Sequence, residues 1–384
     1  MIKRRICYVT GTRAEYGLMC YSLKQINRVF DLKLIVTGMH LAKEFGYTFR
    51  EIEKDGFQIY AKLDTLHQED TGASMAKSFG QTVIGVVPLL EKIKPDFLLA
   101  FGDRGEMLAA TIAAAYLNIP VAHIHGGDQG DNGAHIDEPT RHSITKFAHI
   151  HFAATKKSAD RIVKMGEQPW RVHIVGTPGL DEIIHEKLYP KEYLEKKFNI
   201  DFTKQLFIVI QHAILTEVNM AGSQMKETME ALKQLRFPTI LIYPNADAGS
   251  RKMIEIIKEY EDLPFLKTYK SLPRKVYLSL LKYATLMIGN SSSGSIDSPA
   301  FKLPVVNVGN RESTREQAGN KIFVGHNRIE IVNAVKKAIT DKKFIQKLKR
   351  CKNPYGNGTA TEKIIRILSN QKVGKELLVK SLTY

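Results

Sequence analysis

Short apolar runs that end abruptly in polar residues recur along the chain, and this pattern constrains the fold more than any other feature. Phe97–Phe101 and Val121–Ile124 are two such runs, and charged or glycine residues follow each of them directly. Runs of this length without polar alternation are typical of parallel strands covered by helices on both faces. Helix-like segments such as 105–117 and 138–148 separate the strands. The sequence therefore predicts an α/β fold with doubly wound parallel sheets.

The alternation of strands and helices occurs twice, which predicts two domains. In the first half, further strands are predicted at residues 5–10, 32–37 and 151–154. The glycines and proline of residues 176–179 interrupt the pattern and are interpreted as an interdomain hinge. Strands are predicted again at 207–210, 240–243, 286–288 and 305–308. We predict an N-terminal Rossmann-like domain over 1–176, a C-terminal Rossmann-like nucleotide-binding domain over 177–358 facing it across a cleft, and a helix within 359–384 that packs back on the first domain.

Titratable side chains follow successive strands of the first predicted domain. They are Asp103 and Arg104 after one strand, His125 and Asp128 after the next, and Asp137, Glu138 and Arg141 where the following helix begins. Because the carboxyl ends of parallel strands share one edge of a sheet, these groups should converge. Each group alone also fits a turn or a helix cap. Three groups at successive strand ends instead favour an acid/base site.

The second predicted domain contains a glycine- and serine-rich turn, GNSSSG, from Gly289. A turn of this kind between a buried strand and a helix lets a phosphate approach free backbone N–H groups. The hydroxyls of Ser291 and Ser292 can add hydrogen bonds. An ordinary serine cap is the alternative, but a six-residue run with glycine at both ends favours phosphate binding.

The formal net charge of +16 indicates an anionic partner. The lysines are spread over amphipathic segments such as 252–258 and 336–349, without a basic stripe of interleaved aromatic residues. A solvated basic surface and a phosphorylated small substrate explain the charge better than nucleic acid does. We therefore predict no nucleic-acid partner.

The cysteines and histidines predict neither disulfides nor a metal centre. Cys7, Cys20 and Cys351 are scattered without CxxC spacing, which is typical of the reducing cytoplasm. His123 and His125 stand two residues apart on a strand, where structural histidines are common, so no metal or other cofactor is predicted. We expect no membrane association, because no apolar run approaches the length of a span and no targeting segment is recognised.

Several motifs along the chain can be compared with a known family. They are GTRAEYG at Gly11, VTGMH at Val36, GDR at Gly102, HIHGG at His123, IDEPTRHSITK at Ile136, the strand end at His212, YPNADAGSR at Tyr243, GNSSSG at Gly289, GNRESTR at Gly309 and NPYGNG at Asn353. Their order and spacing resemble those of the hydrolysing UDP-N-acetylglucosamine 2-epimerases of bacterial nonulosonic-acid synthesis, the route to sialic and legionaminic acids.

The resemblance implies a glycosyltransferase-B fold and a homodimer or homotetramer. It also implies the reaction. UDP-N-acetylglucosamine, or a 2,4-diacetamido-2,4,6-trideoxy analogue, reacts with water to give UDP and N-acetylmannosamine, or its analogue. The reaction proceeds by anti elimination to a glycal, followed by hydration.

The resemblance further implies roles for individual residues in the first domain. Asp103 and Asp137 match the catalytic carboxylates of the family. Arg104 and Arg141, together with His212 from the second domain, match residues that hold the diphosphate and the sugar. Further positions near the nucleotide are Arg13 and Gly17.

Positions in the second domain also match the family. Ser291 and Ser292 match phosphate-binding serines, and Asp297 stands where a glutamate usually binds the ribose hydroxyls, so the carboxylate is kept with a shorter reach. The remaining matches are the substrate contacts Asn245, Asp247 and Arg251, and the nucleotide-side arginine Arg311.

One departure from the family affects the chemistry. Many relatives have a catalytic glutamate where this chain has His125, and one branch has a histidine there with an acid after the two glycines, here Asp128. Either His125 or Asp128 is expected to serve as the second acid/base group.

The competing functions are a glycosyltransferase of the same fold and a non-catalytic binder of sugar nucleotides or nucleic acid. Paired acid/base groups around C2 of a sugar favour the epimerase.

Overall fold

Two parallel sheets, each with helices on both faces, form the frame of the computed structural model, which describes residues 3–67, 69, 71–129 and 136–384. The first sheet has seven strands in the order β3-β2-β1-β4-β5-β6-β7. Its strands are β1 (Arg5–Thr10), β2 (Asp31–Thr37), β3 (Ile59–Leu63), β4 (Phe97–Phe101), β5 (Val121–Ile124), β6 (Ile150–Ala153) and β7 (Val172–Ile174). The helices of this half are α1 (Arg13–Val29), α2 (Phe49–Lys54), α3 (Gly72–Ile93), α4 (Gly105–Tyr116), α5 (Asp137–Phe147) and α6 (Lys156–Lys164), with 3-10 turns at Gly38–Leu41, Lys43–Phe45 and Pro169–Arg171.

The second sheet has six strands in the order β10-β9-β8-β11-β12-β13. They are β8 (Phe207–Ile210), β9 (Thr239–Ile242), β10 (Leu266–Tyr269), β11 (Leu286–Gly289), β12 (Val305–Val308) and β13 (Lys321–Val324). The helices are α7 (Pro178–His185), α8 (Lys191–Phe198), α9 (Ala221–Leu235), α10 (Ser250–Lys258), α11 (Arg274–Tyr283), α12 (Ser293–Ile296), α13 (Arg328–Thr340), α14 (Lys342–Lys349), α15 (Ala360–Asn370) and α16 (Lys375–Leu378), with 3-10 turns at Leu215–Met220 and Ser298–Phe301.

The predicted class, two Rossmann-like parallel sheets facing across a cleft, is confirmed. In each sheet the strand order reverses beside the first strand of its half, between β1 and β4 and between β8 and β11. Ligands of open parallel sheets bind at this switch point, beyond the carboxyl ends of the strands. The two switch points therefore fix where a ligand can lie.

Four strands, β3, β7, β10 and β13, were not predicted, and each of them is the outer strand of its sheet. Most of their residues are only partly buried, whereas β4, β5, β8 and β12 are buried throughout. An edge strand has a neighbour on one side only and needs no continuous apolar run. The sequence of an outer strand therefore contains only a weak apolar pattern.

The C-terminal segment packs against the first half of the molecule. Ile364 and Leu368 of α15 belong to the core that β1 and α1 also form. The hydroxyls of Ser22 on α1 and Thr361 lie 2.6 Å apart. Arg171 donates hydrogen bonds to backbone carbonyls of the final segment, among them those of Leu377 and Val379 at 2.7 Å.

None of the helices that the described ranges contain combines the length and the apolar character required to cross a membrane.

Gly289, at the end of β11, allows two backbones to approach closely. Its φ is +125°, and a Cβ at this position would lie 1.9 Å from the carbonyl oxygen of Ile210 on β8. We expect Gly289→Ala to lower the free energy of unfolding by roughly 2–4 kcal/mol, because the clash involves backbone that cannot move aside. Chemical denaturation measures this change.

Gly222 in α9 provides the matched control. A Cβ there would meet its nearest neighbours at 3.8 Å, an ordinary contact distance. Gly222→Ala should leave stability unchanged or raise it by up to about 1 kcal/mol, because alanine restricts the unfolded chain. Equal effects of the two substitutions would contradict the close approach at Gly289.

Candidate active site

A cleft between the carboxyl ends of the two sheets brings together most of the predicted acid/base and phosphate-binding residues. Its open space, with the solvent at its mouth included, is about 680 Å³. Side chains from both halves line it, among them Asp103, Arg104, His125, Asp128, Asp137, Arg141, Asn245, Ser292 and Arg311. The convergence arises because every strand of each sheet ends on the same side.

Asp103 follows β4 after a sharp turn at Gly102, whose φ of +78° suits glycine. The guanidinium of Arg141 donates a hydrogen bond to the Asp103 carboxylate. Burial raises the pKa of Asp103, but the charge of Arg141 and its hydrogen bond outweigh this, so the pKa lies well below its ordinary value. Asp103 is therefore ionised at neutral pH and can act as a base.

Arg141 is held in place by its own helix and by the segment after β5. It donates to the carboxylate of Glu138 at 2.9 Å and to the backbone carbonyl of Asp128 at 3.0 Å. Glu138 also lies 3.2 Å from the imidazole of His142. Glu138 is not part of the cleft lining. Its position fits a residue that orients Arg141 better than one that reaches a substrate.

His125 lies at the end of β5 with a φ of +67°, a left-handed conformation that is strained for a residue other than glycine. Its Nε2 lies 2.7 Å from the hydroxyl of Thr177. Burial lowers the pKa of His125 to about 4, so the imidazole is neutral at pH 7. Both ring nitrogens of the neighbouring His123 lie within hydrogen-bonding distance of protein groups, the carbonyl of Gly102 and the hydroxyl of Thr145. Such contacts are typical of a structural histidine.

Three arginine–carboxylate pairs at the cleft cross from one half of the molecule to the other. Arg104 lies 2.6 Å from Asp247, and Arg311 lies 3.2 Å from Asp137. The third pair joins Arg315 to Asp128. Removing one partner of such a buried pair typically costs about 3–5 kcal/mol. These pairs therefore fix the two halves against each other and hold two of the predicted catalytic carboxylates.

The GNSSSG turn connects β11 to α12, which is a single turn of four residues. The dipole of so short a helix is small, so anion binding there would depend on hydroxyls and backbone N–H groups. Ser292 lines the cleft. The hydroxyl of Ser291 accepts a hydrogen bond from the backbone N–H of Ser293 at 3.4 Å.

His212 lies beside this turn and is fixed by backbone contacts. Its N–H donates to the side-chain oxygen of Asn290 at 2.7 Å, and the Asn290 amide donates back to the His212 carbonyl at 3.0 Å. Nδ1 of His212 accepts from the backbone N–H of Asn245 at 3.1 Å. In the neutral ring the proton then resides on Nε2, which makes Nε2 a donor. Asn290 was not predicted as a site residue, although it stands within GNSSSG.

Six predicted binding residues lie outside the cleft lining: Arg13, Gly17, Asp247, Arg251, Ser291 and Asp297. Arg251 pairs with Glu44 at 2.9 Å beside another cavity. Arg13 pairs with Glu51 at 2.9 Å. A Cβ on Gly17 would contact the side chain of Arg274. Arg274 also binds both oxygens of Asp297, at 2.6 and 2.8 Å, so the expected contact of Asp297 with ribose needs this pair to open.

Glu15 is a cleft residue that the sequence reasoning did not select. Its carboxylate accepts hydrogen bonds from the hydroxyls of Tyr8 and Thr10 and from the backbone N–H of Gly11. Burial raises the pKa of Glu15 to about 8. Its spacing from Thr12, three residues upstream, is that of a helix-capping pair, and the Thr12 hydroxyl accepts from the Glu15 N–H at 3.3 Å. In the sequence, this spacing indicates a helix cap, and it does not reveal that the Glu15 side chain lines the cleft.

Chemically, the cleft places an ionised carboxylate opposite several guanidinium groups. Where no carbonyl adjoins the carbon, a carboxylate can remove its proton as the neighbouring bond releases an anion, and the arginines and Ser292 can stabilise that anion. Within the described ranges, no group of three histidine, cysteine or acidic side chains is arranged to hold a metal ion.

Comparison with known proteins identifies the family. The model of the UDP-N-acetylglucosamine 2-epimerase family matches residues 23–369. A UDP-N,N'-diacetylbacillosamine 2-epimerase (hydrolyzing) of Legionella pneumophila is 37% identical over 383 residues, which cover 99% of this chain and all of that protein. A UDP-N-acetylglucosamine 2-epimerase of Neisseria meningitidis is 31% identical over 96% of this chain and 95% of that protein.

A solved structure confirms the predicted fold. The crystal structure of UDP-GlcNAc 2-epimerase from Neisseria meningitidis bound to UDP-GlcNAc superposes with a TM-score of 0.81. The match covers 96% of this chain and all of that chain at 19% identity.

The buried imidazole of His125 should remain neutral between pH 5.5 and 8. Its folded-state pKa is about 4, whereas an unfolded histidine titrates near 6.5. The unfolded chain therefore binds more protons between these values, so this residue lowers the free energy of unfolding as the pH falls from about 6.5 to about 4. NMR of protein with ¹³C-labelled histidine measures the titration, and the resonance missing in His125→Gln assigns it. A midpoint near 6.5 would contradict the predicted environment.

Proposed function

Because the chain belongs to the UDP-N-acetylglucosamine 2-epimerase family and is a hydrolysing epimerase of UDP-sugars, we propose that its cleft eliminates UDP from a 2-acetamido sugar of gluco configuration and then hydrates the product. The products are UDP and the free sugar of manno configuration. This proposal is supported above all by the pairing of Asp103 with Arg141 in a cavity that Arg311 and Ser292 also line.

The first step needs a base and an anion site together. The proton on C2 is not adjacent to a carbonyl, so it is removable only as the C1–O bond breaks. In this step Asp103 takes the C2 proton, the electrons of that C–H bond form the C1=C2 double bond, and the C1–O electrons leave with UDP. Ser291, Ser292 and Arg311 stabilise the departing diphosphate. Arg141 supports the step because it keeps Asp103 ionised before the proton is transferred.

The second step adds water across the glycal. A proton reaches C2 from the face opposite to the one that lost it, and water attacks C1 and gives up its own proton to a base. We assign the proton delivered to C2 to Asp128 rather than His125. Both side chains line the cleft. The imidazole of His125 is neutral and its Nε2 lies 2.7 Å from the hydroxyl of Thr177, which makes it less suited than the Asp128 carboxylate to take up a proton and deliver it.

The proposed sugar is the 2,4-diacetamido-2,4,6-trideoxy form, with N-acetylglucosamine as the alternative. A second cavity adjoins the cleft and shares Arg104 and Asp137 with it. Much of its wall is apolar, including Met39, Met75, Phe79 and Leu108. A C6 methyl and a C4 acetamido group present more apolar surface than two hydroxyls and would gain from burial there. The similarity to the Legionella pneumophila protein supports the same choice, and the similarity to the Neisseria meningitidis protein supports the alternative.

The proposal also covers the cellular location, the pathway and the oligomeric state of the protein. Cys7, Cys20 and Cys351 are free and buried, which suits the reducing cytoplasm. The released sugar would enter nonulosonic-acid synthesis. A homodimer or homotetramer stays a prediction, supported by the exposed apolar side chains of Ile84 on α3 and Tyr116 on α4.

Turnover in deuterium oxide tests the reaction. We expect one deuterium at C2 of the released sugar and manno configuration, because the proton finally on C2 comes from a group that exchanges with solvent. Mass spectrometry and NMR measure both. The two candidate UDP-sugars are compared in parallel, and the trideoxy substrate should have the higher kcat/KM. A C2 that keeps the substrate proton, with gluco configuration, would show a hydrolase or transferase instead.

Asp103→Asn should lower the rate of UDP release by at least about two orders of magnitude, the range usual for loss of a positioned acid/base group. The amide cannot accept the C2 proton, but Arg141 keeps its bond to Glu138, so the fold should persist. UDP release is followed with a coupled assay and UDP affinity by calorimetry.

Asp96→Asn is the matched control, because Asp96 lies at the opposite end of β4 and accepts a hydrogen bond from the backbone N–H of Arg5 at 2.7 Å. This variant should turn over at the normal rate. Near-normal turnover by Asp103→Asn would remove Asp103 from the mechanism.

A further inference from the structure

Arg315 is a buried arginine in the cleft to which neither the sequence motifs nor the proposed chemistry gives a role. It follows β12, four residues after Arg311, and only 9% of it is exposed. Its guanidinium reaches across the cleft to the carboxylate of Asp128, which is 3% exposed. Both side chains line the same cavity as Ser292. Arg315 therefore joins the proposed second acid/base group to the anion-binding side of the cleft.

Arg315 has a second acidic partner within its own half of the molecule. Its Nε lies 2.9 Å from a carboxylate oxygen of Glu312. That carboxylate also accepts a hydrogen bond from the hydroxyl of Ser295 at 2.7 Å. The Glu312 pair holds the arginine in the cleft even when the bond to Asp128 opens. The bond that crosses the cleft is therefore the one that a ligand can replace.

The charges in the cleft favour such a replacement. Before substrate binds, Arg311 is paired with Asp137 and Arg315 with Asp128. A diphosphate brings two negative charges into this low-dielectric space and must compete with these carboxylates for the guanidinium groups. Arginine binds phosphate and carboxylate oxygens alike with two parallel hydrogen bonds, so a diphosphate with its two charges is a strong competitor for the single carboxylate of Asp128.

A carboxylate held by Arg315 is also unsuited to the role proposed for Asp128. An ion-paired carboxylate has no proton to deliver to C2. Departure of the arginine to the diphosphate would leave Asp128 facing the sugar without its counter-ion. Asp128 could then take up a proton and pass it on.

We propose that Arg315 is a ligand of the substrate's diphosphate and that it exchanges the carboxylate of Asp128 for phosphate oxygens when substrate binds, which releases Asp128 for proton transfer. This inference rests on the proposed function. Asp128 would then become available as a proton donor only when the diphosphate of a nucleotide sugar occupies the anion site.

Calorimetric titration with UDP tests the exchange. Asp128→Asn should bind UDP about tenfold more tightly than the wild type, because Arg315 no longer has to leave a charged partner. Arg315→Gln should bind UDP at least about tenfold more weakly. In the double variant the benefit of Asp128→Asn should disappear. Uridine, which has no phosphate, should bind all four proteins equally.

The alternative is that Arg315 only braces the two halves of the molecule. Arg315→Gln would then lower the thermal midpoint but leave the UDP affinity of the folded protein unchanged, which would overturn the proposal. If Arg315→Gln does not fold, Asp128→Asn decides alone, because it leaves Arg315 paired with Glu312. Unchanged or weaker UDP binding by Asp128→Asn overturns the exchange. A wild type that neither binds UDP nor releases it from UDP-sugars would instead contradict the proposed function.

Discussion

Arg141 is the side chain on which the organisation of the cleft depends. It is almost fully buried and donates to Asp103, to Glu138 and to the backbone carbonyl of Asp128. One guanidinium thus joins the ends of β4 and β5 to the first turn of α5. Burying a charge of this kind is favourable only if its donors are satisfied, and here the satisfying groups are the candidate catalytic residues. The arginine keeps Asp103 ionised in a site that would otherwise favour the neutral acid.

Charged pairs join the two halves of the molecule at the cleft. The pairs Arg104–Asp247, Arg311–Asp137 and Arg315–Asp128 each place a positive and a negative group on opposite sides. These pairs favour one relative position of the two halves, because a shift of one half against the other would bring like charges together. A diphosphate can compete for these arginines, since it offers them bidentate acceptors as a carboxylate does and carries two negative charges. The same contacts can therefore position the halves and respond to the substrate.

The sequence predicted much of the site because strand ends in a parallel fold share one edge. Asp103, His125, Asp128, Asp137 and Arg141 were selected on that basis, and all of them line the cleft. It could not rank His125 against Asp128, because the two side chains differ in tertiary contacts, the hydroxyl of Thr177 for His125 and the guanidinium of Arg315 for Asp128. Glu15 was missed for a similar reason. Its spacing is that of a capping residue, and only packing places its carboxylate in the cleft.

The sequence is enough to predict the two parallel sheets, because strands buried on both faces need continuous apolar runs and such runs can be recognised in it. It left out the edge strands β3, β7, β10 and β13, whose partly exposed residues carry no such run. Which charges form pairs depends on the tertiary structure. Arg315 and Asp128 are 187 positions apart, and Arg311 and Asp137 are 174 apart. Their pairing follows from how the two sheets face each other, a property of the packed molecule that no local pattern of residues records.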